Sequence, residues 1–472
     1  MRKTKIVCTV GPATDDEAVL RQLMLCGMNV ARFNFSHANH EEHLRRFKMI
    51  DHLRRELNLP IATMLDTKGP EVRLGLFKDN KPVEIFTGDT YTLTTRDVIC
   101  DEKIASVSFS GLPADVQPGT AILINDGLIS LRVKKVTATD IVCDVTEGGI
   151  LSNNKGVNVP GVELSMPYLS ERDMSDLEFG AKTGFDFIAA SFVRTAADVD
   201  YLRKFTNSLG WRHVKIIAKI ENMEGVNNID EIIRVADGIM VARGDLGVEI
   251  PFEQIPAIQK ELILKGYRAG MQVITATQML ESMINNPRPT RAETTDVANA
   301  IYDGTSAVML SGETAAGAHP VEVVKTMVRI VEAAEASIDY IHQFNMAESL
   351  KHDIPDAISH ATVTTAHDLG ASAIITVTQS GNTAKMLSKH RPSCPIISCT
   401  PCEKVWRQTN LSWGVLPLMC EEKESTDELF EHALEVAVKS GAVHKGDTVV
   451  ITAGIPLRTA GTTNMLKVEK VK

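Results

Sequence analysis

The residues best suited to chemistry lie in two short stretches, Lys219-Ile220-Glu221 and Arg243-Gly244-Asp245. Each closes a continuous apolar run, Lys215 to Ile220 and Gly238 to Ala242, with the length and composition of a buried strand. Side chains alternate faces along a strand, so Lys219 and Glu221 share one face. An ammonium beside a carboxylate is costly in an apolar core and useful where a phosphate and a metal meet. Asp245 adds a second carboxylate 24 residues after Glu221, about one strand-plus-helix unit further on. Two carboxylates suit Mg2+, and a lysine beside them can meet a phosphate.

Other strand-like runs end in complementary groups. In Arg32-Phe33-Asn34-Phe35-Ser36-His37, the period of two puts Arg32, Asn34 and Ser36 on one face. Asp66-Thr67-Lys68-Gly69-Pro70-Glu71-Val72-Arg73 follows a third run, and Thr277-Gln278 and Ser311-Gly312-Glu313 close two more. A strand-end Asp is by itself more often a helix cap or ion-pair partner, and the plain alternative for Lys219–Glu221 is a structural ion pair. Together, however, Arg32, Arg73 and Lys219 offer cations, Glu221 and Asp245 metal-ready carboxylates and Thr277 a hydroxyl. Phosphoryl transfer needs that set: charge neutralisation, Mg2+ and positioning, with little covalent work by the protein. Asn34, Ser36, Asp66 and Thr67 form an all-oxygen group suited to a hard cation of low charge.

The elements that must position these groups are eight strand-like runs: Lys5–Val10, Asn29–Phe35, Ile61–Leu65, Phe185–Ser191, Lys215–Ile220, Gly238–Ala242, Gln272–Ala276 and Ala307–Leu310. Amphipathic helix-length segments such as Asp15–Leu25, His40–Leu57 and Ala292–Ile301 lie between them. Eight strand–helix units predict a (β/α)8 barrel, whose functional residues gather at the C-terminal ends of its strands. One gap, from Ile61 to Phe185, is far longer than the others. Residues 71–166 there are rich in alternating β-branched residues and turn signals, as in TYTLTT, AILINDG and LRVKKVTATDIVCDV. They predict an inserted small β-barrel placed at the substrate face as a lid. From Ile354 the runs Ala373–Thr378, Pro395–Cys399, Val415–Met419, Thr448–Thr452 and Met465–Val471 alternate with helical segments, predicting a doubly wound α/β domain. The expected division is barrel over 1–70 and 167–340, insert over 71–166 and C-terminal domain over 345–472.

Composition narrows the class. The 472 residues allow several domains, and 44% hydrophobic with 23% charged residues is ordinary for a globular protein. A net charge of −10 argues against nucleic-acid binding and requires a locally positive site for any anionic substrate. The N-terminal apolar run is too short for a signal peptide, and no apolar stretch is long enough for a membrane span. The eight cysteines sit mostly within apolar runs, as free thiols of a reducing cytoplasm do. Cys399-Thr400-Pro401-Cys402, near Cys394 and Cys420, has the C-x-x-C form, but no second pair completes a zinc site, so a structural role is expected.

The chain resembles the pyruvate kinase family. The resemblance rests on TKIVCTVGPAT, NVARFNFSH, LDTKGPEVR, KGVNVPG, KIENMEG, IMVARGDLGVEI, ATQMLESM, NPRPTRAE and DGTSAVMLSGETAAG, in the family's order across barrel and insert. The C-terminal domain matches more loosely. The resemblance implies that phosphoenolpyruvate gives its phosphoryl group to ADP, yielding ATP and pyruvate. It implies that Arg32 and Lys219 bind the moving phosphoryl group, that Glu221 and Asp245 hold Mg2+ (or Mn2+), and that the backbone at Arg243-Gly244 contacts substrate. Thr277 would bind the carboxylate and help deliver the proton to the enolate. Asn34, His37, Arg73 and Lys155 would contact nucleotide. The resemblance makes Asn34, Ser36, Asp66 and the Thr67 carbonyl a K+ site, and Glu71 goes with K+ dependence in the family. It further implies a homotetramer of the bacterial type without an extra C-terminal domain.

Thr378-Gln379-Ser380-Gly381-Asn382-Thr383, between a strand and a helix, offers hydroxyls and N–H groups to an anion. A hydroxyl-capped helix start is the plain alternative. In the family this loop binds a phosphorylated effector, and Arg458 with Gly461-Thr462-Thr463-Asn464 would complete that site. Asn382 and Ile455-Pro456-Leu457 depart from the fructose-1,6-bisphosphate binders, so a sugar monophosphate or AMP fits as well. Two other readings keep part of the site: a Mg2+-dependent barrel lyase acting on a pyruvate enolate, or an inactive metabolite-binding paralogue. The lid and Lys219 argue against the first, and the complete set of key groups argues against the second.

Overall fold

In the computed structural model, which describes residues 1–346, 353–455 and 463–472, eight parallel strands close into a barrel. They are β1 (Lys5–Thr9), β2 (Val30–Asn34), β3 (Ala62–Asp66), β4 (Phe187–Ala190), β5 (Lys215–Ile220), β6 (Gly238–Ala242), β7 (Gln272–Ala276) and β8 (Ala307–Leu310). Each pairs with its sequence neighbours, and β1 pairs with β8 to close the ring. The continuous apolar runs follow from burial on both faces. In β5, Ile216, Ala218 and Ile220 face the surrounding helices, while Ile217 joins Val7, Val30, Met64, Phe187, Ala189, Met240 and Ile274 inside the barrel. The inward series in β5 continues to Lys219, in β2 from Val30 to Arg32 and Asn34, and in β3 from Ala62 and Met64 to Asp66. Period two thus converts an apolar barrel interior into a polar mouth within one residue pair of the ends of these three strands.

The insert has its own core, with Tyr91, Leu93, Ile122, Ile124, Leu131 and Cys143 fully or nearly buried. It holds a seven-stranded sheet running from Val72–Arg73 to Ile104–Ser106. Its two edges meet through Gly75 N–H to Ser106 O (2.9 Å) and Ser108 N–H to Arg73 O (2.9 Å), so the sheet closes on itself. One four-residue helix, Leu112–Asp115, interrupts the strands. The chain leaves the barrel after β3 and returns before helix Glu171–Thr183, where Ser170 and Asp173 form a capping box. The Asp173 carboxylate also accepts from Gly69 N–H at 3.0 Å, so the helix cap fixes the loop that follows β3.

The C-terminal sheet has the order Val415–Met419, Ile396–Thr400, Ala373–Val377, Thr448–Gly454, Thr463–Lys470. Its first four strands are parallel and the last is antiparallel. This domain packs against the barrel end opposite the polar mouth. Lys5 Nζ donates to Val415 O (2.6 Å), Lys385 Nζ to Asp237 O (2.8 Å) and Arg407 Nε to Asp186 (3.0 Å), and Leu411 joins the apolar cluster inside the barrel. Among the described residues, no helix is long and apolar enough to cross a membrane. All eight cysteines are free, and Cys402 is exposed while Cys399 is buried.

Candidate active site

At the barrel mouth the inward strand ends form one charged network. Arg32 Nε donates to Asp66 Oδ2 (2.6 Å) and its Nη1 to Thr9 Oγ1 (3.0 Å). Lys219 Nζ donates to Asp66 Oδ1 (3.0 Å) and Ser191 Oγ (2.7 Å), and lies 2.9 Å from Glu221 Oε1. Asp66 is the hub, because β2 and β3 pair Asn34 with Asp66 and β3 and β4 pair Asp66 with Ala189. Burial alone would raise the Asp66 carboxyl, but Arg32 and Lys219 outweigh it and hold it below the usual carboxylate range. Burial likewise opposes the Lys219 ammonium, yet Asp66 and Glu221 outweigh it and hold it well above the usual lysine range. The buried part of the network thus sets two cations, Arg32 and Lys219, against the carboxyl groups of Asp66 and Glu221.

Glu221 is 1% exposed. Its Oε2 accepts from Phe192 N–H (2.6 Å). Its Oε1, although close to Lys219, is not aligned for a hydrogen bond and has no other partner. Burial pushes this carboxyl up, Lys219 opposes that and nearby Asp245 adds to it. Asp245 is exposed, in the first turn of helix Arg243–Glu249. An orphaned buried carboxylate oxygen beside an exposed carboxylate fits a hard divalent cation. Among the described residues no group of three or more His, Cys, Asp or Glu could hold a metal, so such an ion would take its remaining ligands from substrate or water.

The monovalent-cation candidates lie together at the ends of β2 and β3. Asn34 Oδ1 accepts from Ser36 N–H (3.1 Å), and the Thr67 carbonyl accepts from Ser191 Oγ (2.6 Å). All four groups present oxygen, the donor type K+ takes.

Thr277 holds an unusual backbone. Its φ is 70° and that of Gln278 is 55°, a region that β-branched residues rarely enter. Its Oγ1 donates to Ala276 O (2.6 Å) and accepts from Gly244 N–H (2.8 Å). The strain is held by Arg243: Nη2 donates to Thr277 O (2.6 Å) and Gln278 O (3.2 Å), and Nη1 to Asp296 (2.7 Å). The Arg243-Gly244 stretch thus reaches beyond the backbone contact read from sequence. Its guanidinium clamps Thr277, and the Gly244 N–H is already shared with the Thr277 hydroxyl. Glu313, another polar strand end, is a clamp as well, with Oε1 accepting from Leu280 N–H (3.1 Å) and Oε2 from Ser311 N–H (2.6 Å).

A cleft of about 520 Å³ separates insert from barrel, lined among others by Glu71, Arg73, Lys155, Phe192, Asp245 and Glu249. Arg73 is paired with Glu71 (2.8 Å) and donates to Asn154 O (2.8 Å). Asp245 belongs to this cleft and acts electrostatically on Glu221 and Lys219, so it joins the cleft to the buried network. His37 is exposed on the β2 loop, its carbonyl facing His43 Nε2 at 3.0 Å.

Sequence reasoning missed Ser191. It is 1% exposed, accepts from Lys219, and exchanges two bonds with Thr67, its N–H going to Thr67 Oγ1 (3.0 Å). It closes the fourth apolar run, so the rule applied to the other strand ends would have found it. In the C-terminal loop, Thr378 Oγ1 accepts from Gly381 N–H (3.0 Å), Thr383 and Thr463 share a hydroxyl contact (2.7 Å), and Ser380 and Asn382 are partly or fully exposed. Arg458, Gly461 and Thr462 lie outside the described residues.

The model of the pyruvate kinase barrel domain matches residues 1–324, and that of the pyruvate kinase alpha/beta domain matches residues 356–469. Pyruvate kinase of Clostridium acetobutylicum is 49% identical over the whole of both chains. That of Geobacillus stearothermophilus is 50% identical over all of this chain and 80% of its own. The crystal structure of a pyruvate kinase from Cryptosporidium parvum superposes with a TM-score of 0.94 at 40% identity, covering 100% of this chain and 96% of that one.

Proposed function

The chain belongs to the pyruvate kinase family and has that family's phosphotransferase activity, and we propose how its own residues carry out the reaction of phosphoenolpyruvate with ADP. The observation that carries the proposal is the Lys219 ammonium, buried among Asp66, Ser191 and Glu221 and next to a Glu221 carboxylate oxygen left without a hydrogen bond.

Two cations already engaged by Asp66 and Glu221 cannot alone neutralise an incoming phosphate and carboxylate. Added cations supply that charge. Glu221 and Asp245 would hold Mg2+, or Mn2+, which when bound neutralises substrate oxygens. Asn34, Ser36, Asp66 and the Thr67 carbonyl would hold K+. Arg32, fixed by Asp66 and Thr9, presents its remaining N–H groups to the phosphoryl group. Lys219 follows the charge as it passes to ADP, a fixed donor in a water-poor pocket. Thr277, kept in its strained conformation by Arg243, orients the carboxylate and hands a proton to the enolate through its hydroxyl. Arg73 and Lys155 reach the nucleotide phosphates from the lid side of the cleft, with Asn34 and His37 on the barrel side.

The homotetramer and a phosphorylated effector at Thr378, Ser380, Gly381, Asn382 and Thr383 belong to the same proposal and rest on the family. Light scattering tests the first. Titration of sugar phosphates and AMP at low phosphoenolpyruvate tests the second, and a flat response to all of them refutes it. The site assignment is tested by coupled pyruvate formation with ADP, Mg2+ and K+, each omitted in turn. Turnover that survives omission of Mg2+ or K+ overturns the corresponding assignment.

A further inference from the structure

Ser191 joins two parts of the site that the reaction uses separately. Its hydroxyl accepts from Lys219 Nζ at 2.7 Å and donates to the Thr67 carbonyl at 2.6 Å, with Asp66 Oδ1 at 3.3 Å as a second acceptor. Thr67 is the only one of the four K+ candidates to offer a backbone carbonyl, and Lys219 is the group that meets the phosphoryl group. A hydroxyl that accepts from an ammonium becomes a stronger donor, so the bonds at its two sides are coupled. The seat of Ser191 is built for this contact. Its N–H is held by Thr67 Oγ1, and Gly69 packs so closely that a Cβ there would lie 2.8 Å from the Ser191 Cβ, at a φ of 75° that itself favours glycine.

We propose that Ser191 is a positioning residue that ties the Lys219 ammonium to the Thr67 carbonyl, so that a monovalent cation on that carbonyl sets the placement of the lysine. The inference rests on the cation reading given above. A cation at the carbonyl draws electron density from the lone pair facing Ser191 and shifts its O–H toward Asp66 Oδ1. That shift redirects the acceptor lone pair offered to Lys219. Coupling of this kind shows as activation that can be separated from binding.

The test compares the parent enzyme with Ser191→Ala and Ser191→Thr. Two quantities are read: the ratio of kcat in saturating KCl to kcat in tetramethylammonium chloride, and the KCl concentration giving half of the K+-induced rise in melting temperature. Removing a hydrogen bond to a charged group corresponds to about a ten- to hundredfold effect. Ser191→Ala should therefore lower the kcat ratio at least about tenfold, while its half-saturating KCl in melting stays within about threefold of the parent. Ser191→Thr, which keeps the hydroxyl, should recover most of the ratio. A Ser191→Ala enzyme with the parent's kcat ratio overturns the coupling, and so does an equal loss of kcat with and without K+. A parent enzyme indifferent to K+ in both readouts overturns the cation reading itself, which distinguishes the two failures.

Discussion

Replacing Arg243 by Lys keeps the charge and removes the fork. In the parent the guanidinium makes three hydrogen bonds to the carbonyls of Thr277 and Gln278 and one strong pairing to Asp296. An ammonium can keep the Asp296 contact and at most one carbonyl. The two positive φ values cost about 1–3 kcal/mol each to maintain, and each hydrogen bond from a charged donor contributes about 1.5–3 kcal/mol. Losing two such bonds removes roughly 3 kcal/mol or more, comparable to the strain being held, so Thr277 and Gln278 relax. A displacement of the Thr277 hydroxyl by about 1 Å is enough for a loss on the order of a hundredfold in rate. Arg243→Lys should therefore lower kcat about a hundredfold with the KM for phosphoenolpyruvate within about threefold. It should slow by a similar factor the uptake of deuterium into the pyruvate methyl group in 2H2O, which by microscopic reversibility uses the same proton route. Both rates are read by NMR and a coupled assay on protein whose near-ultraviolet circular dichroism matches the parent. Rates within threefold of the parent would refute the clamp. Normal exchange with depressed kcat would refute the placement of Thr277 on the proton route.

Lys219→Met should fold and lose about 10²–10³ in kcat, because a charge-stabilising donor is removed; unchanged turnover would sink its role. Glu221 sits with its carboxyl raised by burial, so Mg2+ binding near pH 7 should release a fraction of a proton. Calorimetry in buffers of different ionisation enthalpy measures it, and the release should vanish in Glu221→Gln. His43, stacked on Phe35 at 4.1 Å with Nδ1 buried and unpartnered, is pushed down to about 4, chiefly by burial. It stays neutral in the fold while the unfolded chain takes up a proton below about pH 6.5, so its contribution is present above that pH and is lost as pH falls toward 4. The loss amounts to about 2–3 kcal/mol, and urea melts of His43→Phe should lose less stability than the parent between pH 6.5 and 4.5; equal slopes would refute it.

The barrel was legible because strands buried on both faces leave continuous apolar runs, and the polar residues that end most of these runs mark the mouth. Lys219 and Glu221 share a face for the same reason. What the sequence could not show is who pairs with whom. Arg32 with Asp66, Lys219 with Asp66 and Arg243 with Thr277 join residues 34, 153 and 34 positions apart, and no local pattern encodes such partners. Asp66 reads from sequence as a cation ligand, and the structure makes it the counter-ion of both Arg32 and Lys219. Glu313, one of the polar strand ends, fastens the backbone at Leu280 and Ser311. For Arg243 the resemblance implies a backbone contact only, and the structure adds a side chain that turns back onto the neighbouring strand's strained end. The closure of the insert through the edges near Gly75 and Ser106 likewise depends on contacts across the sheet rather than on strand composition.

The ring closes between β1 and β8, the first and last barrel strands. During synthesis β1 therefore emerges about 300 residues before its partner, a wait on the order of 15–60 s at about 5–20 residues per second. Over that interval β1 to β3 present apolar edges on both faces with half a barrel's worth of partners missing, which is the condition for misassembly. The insert has a core of its own, so it can fold once it has left the ribosome, and it tethers the ends of β3 and β4, which pair directly. A lid placed between those two strands is thus also a clasp for the nascent barrel, and loss of it should lower the yield of folded chain before it is felt in any assay of turnover.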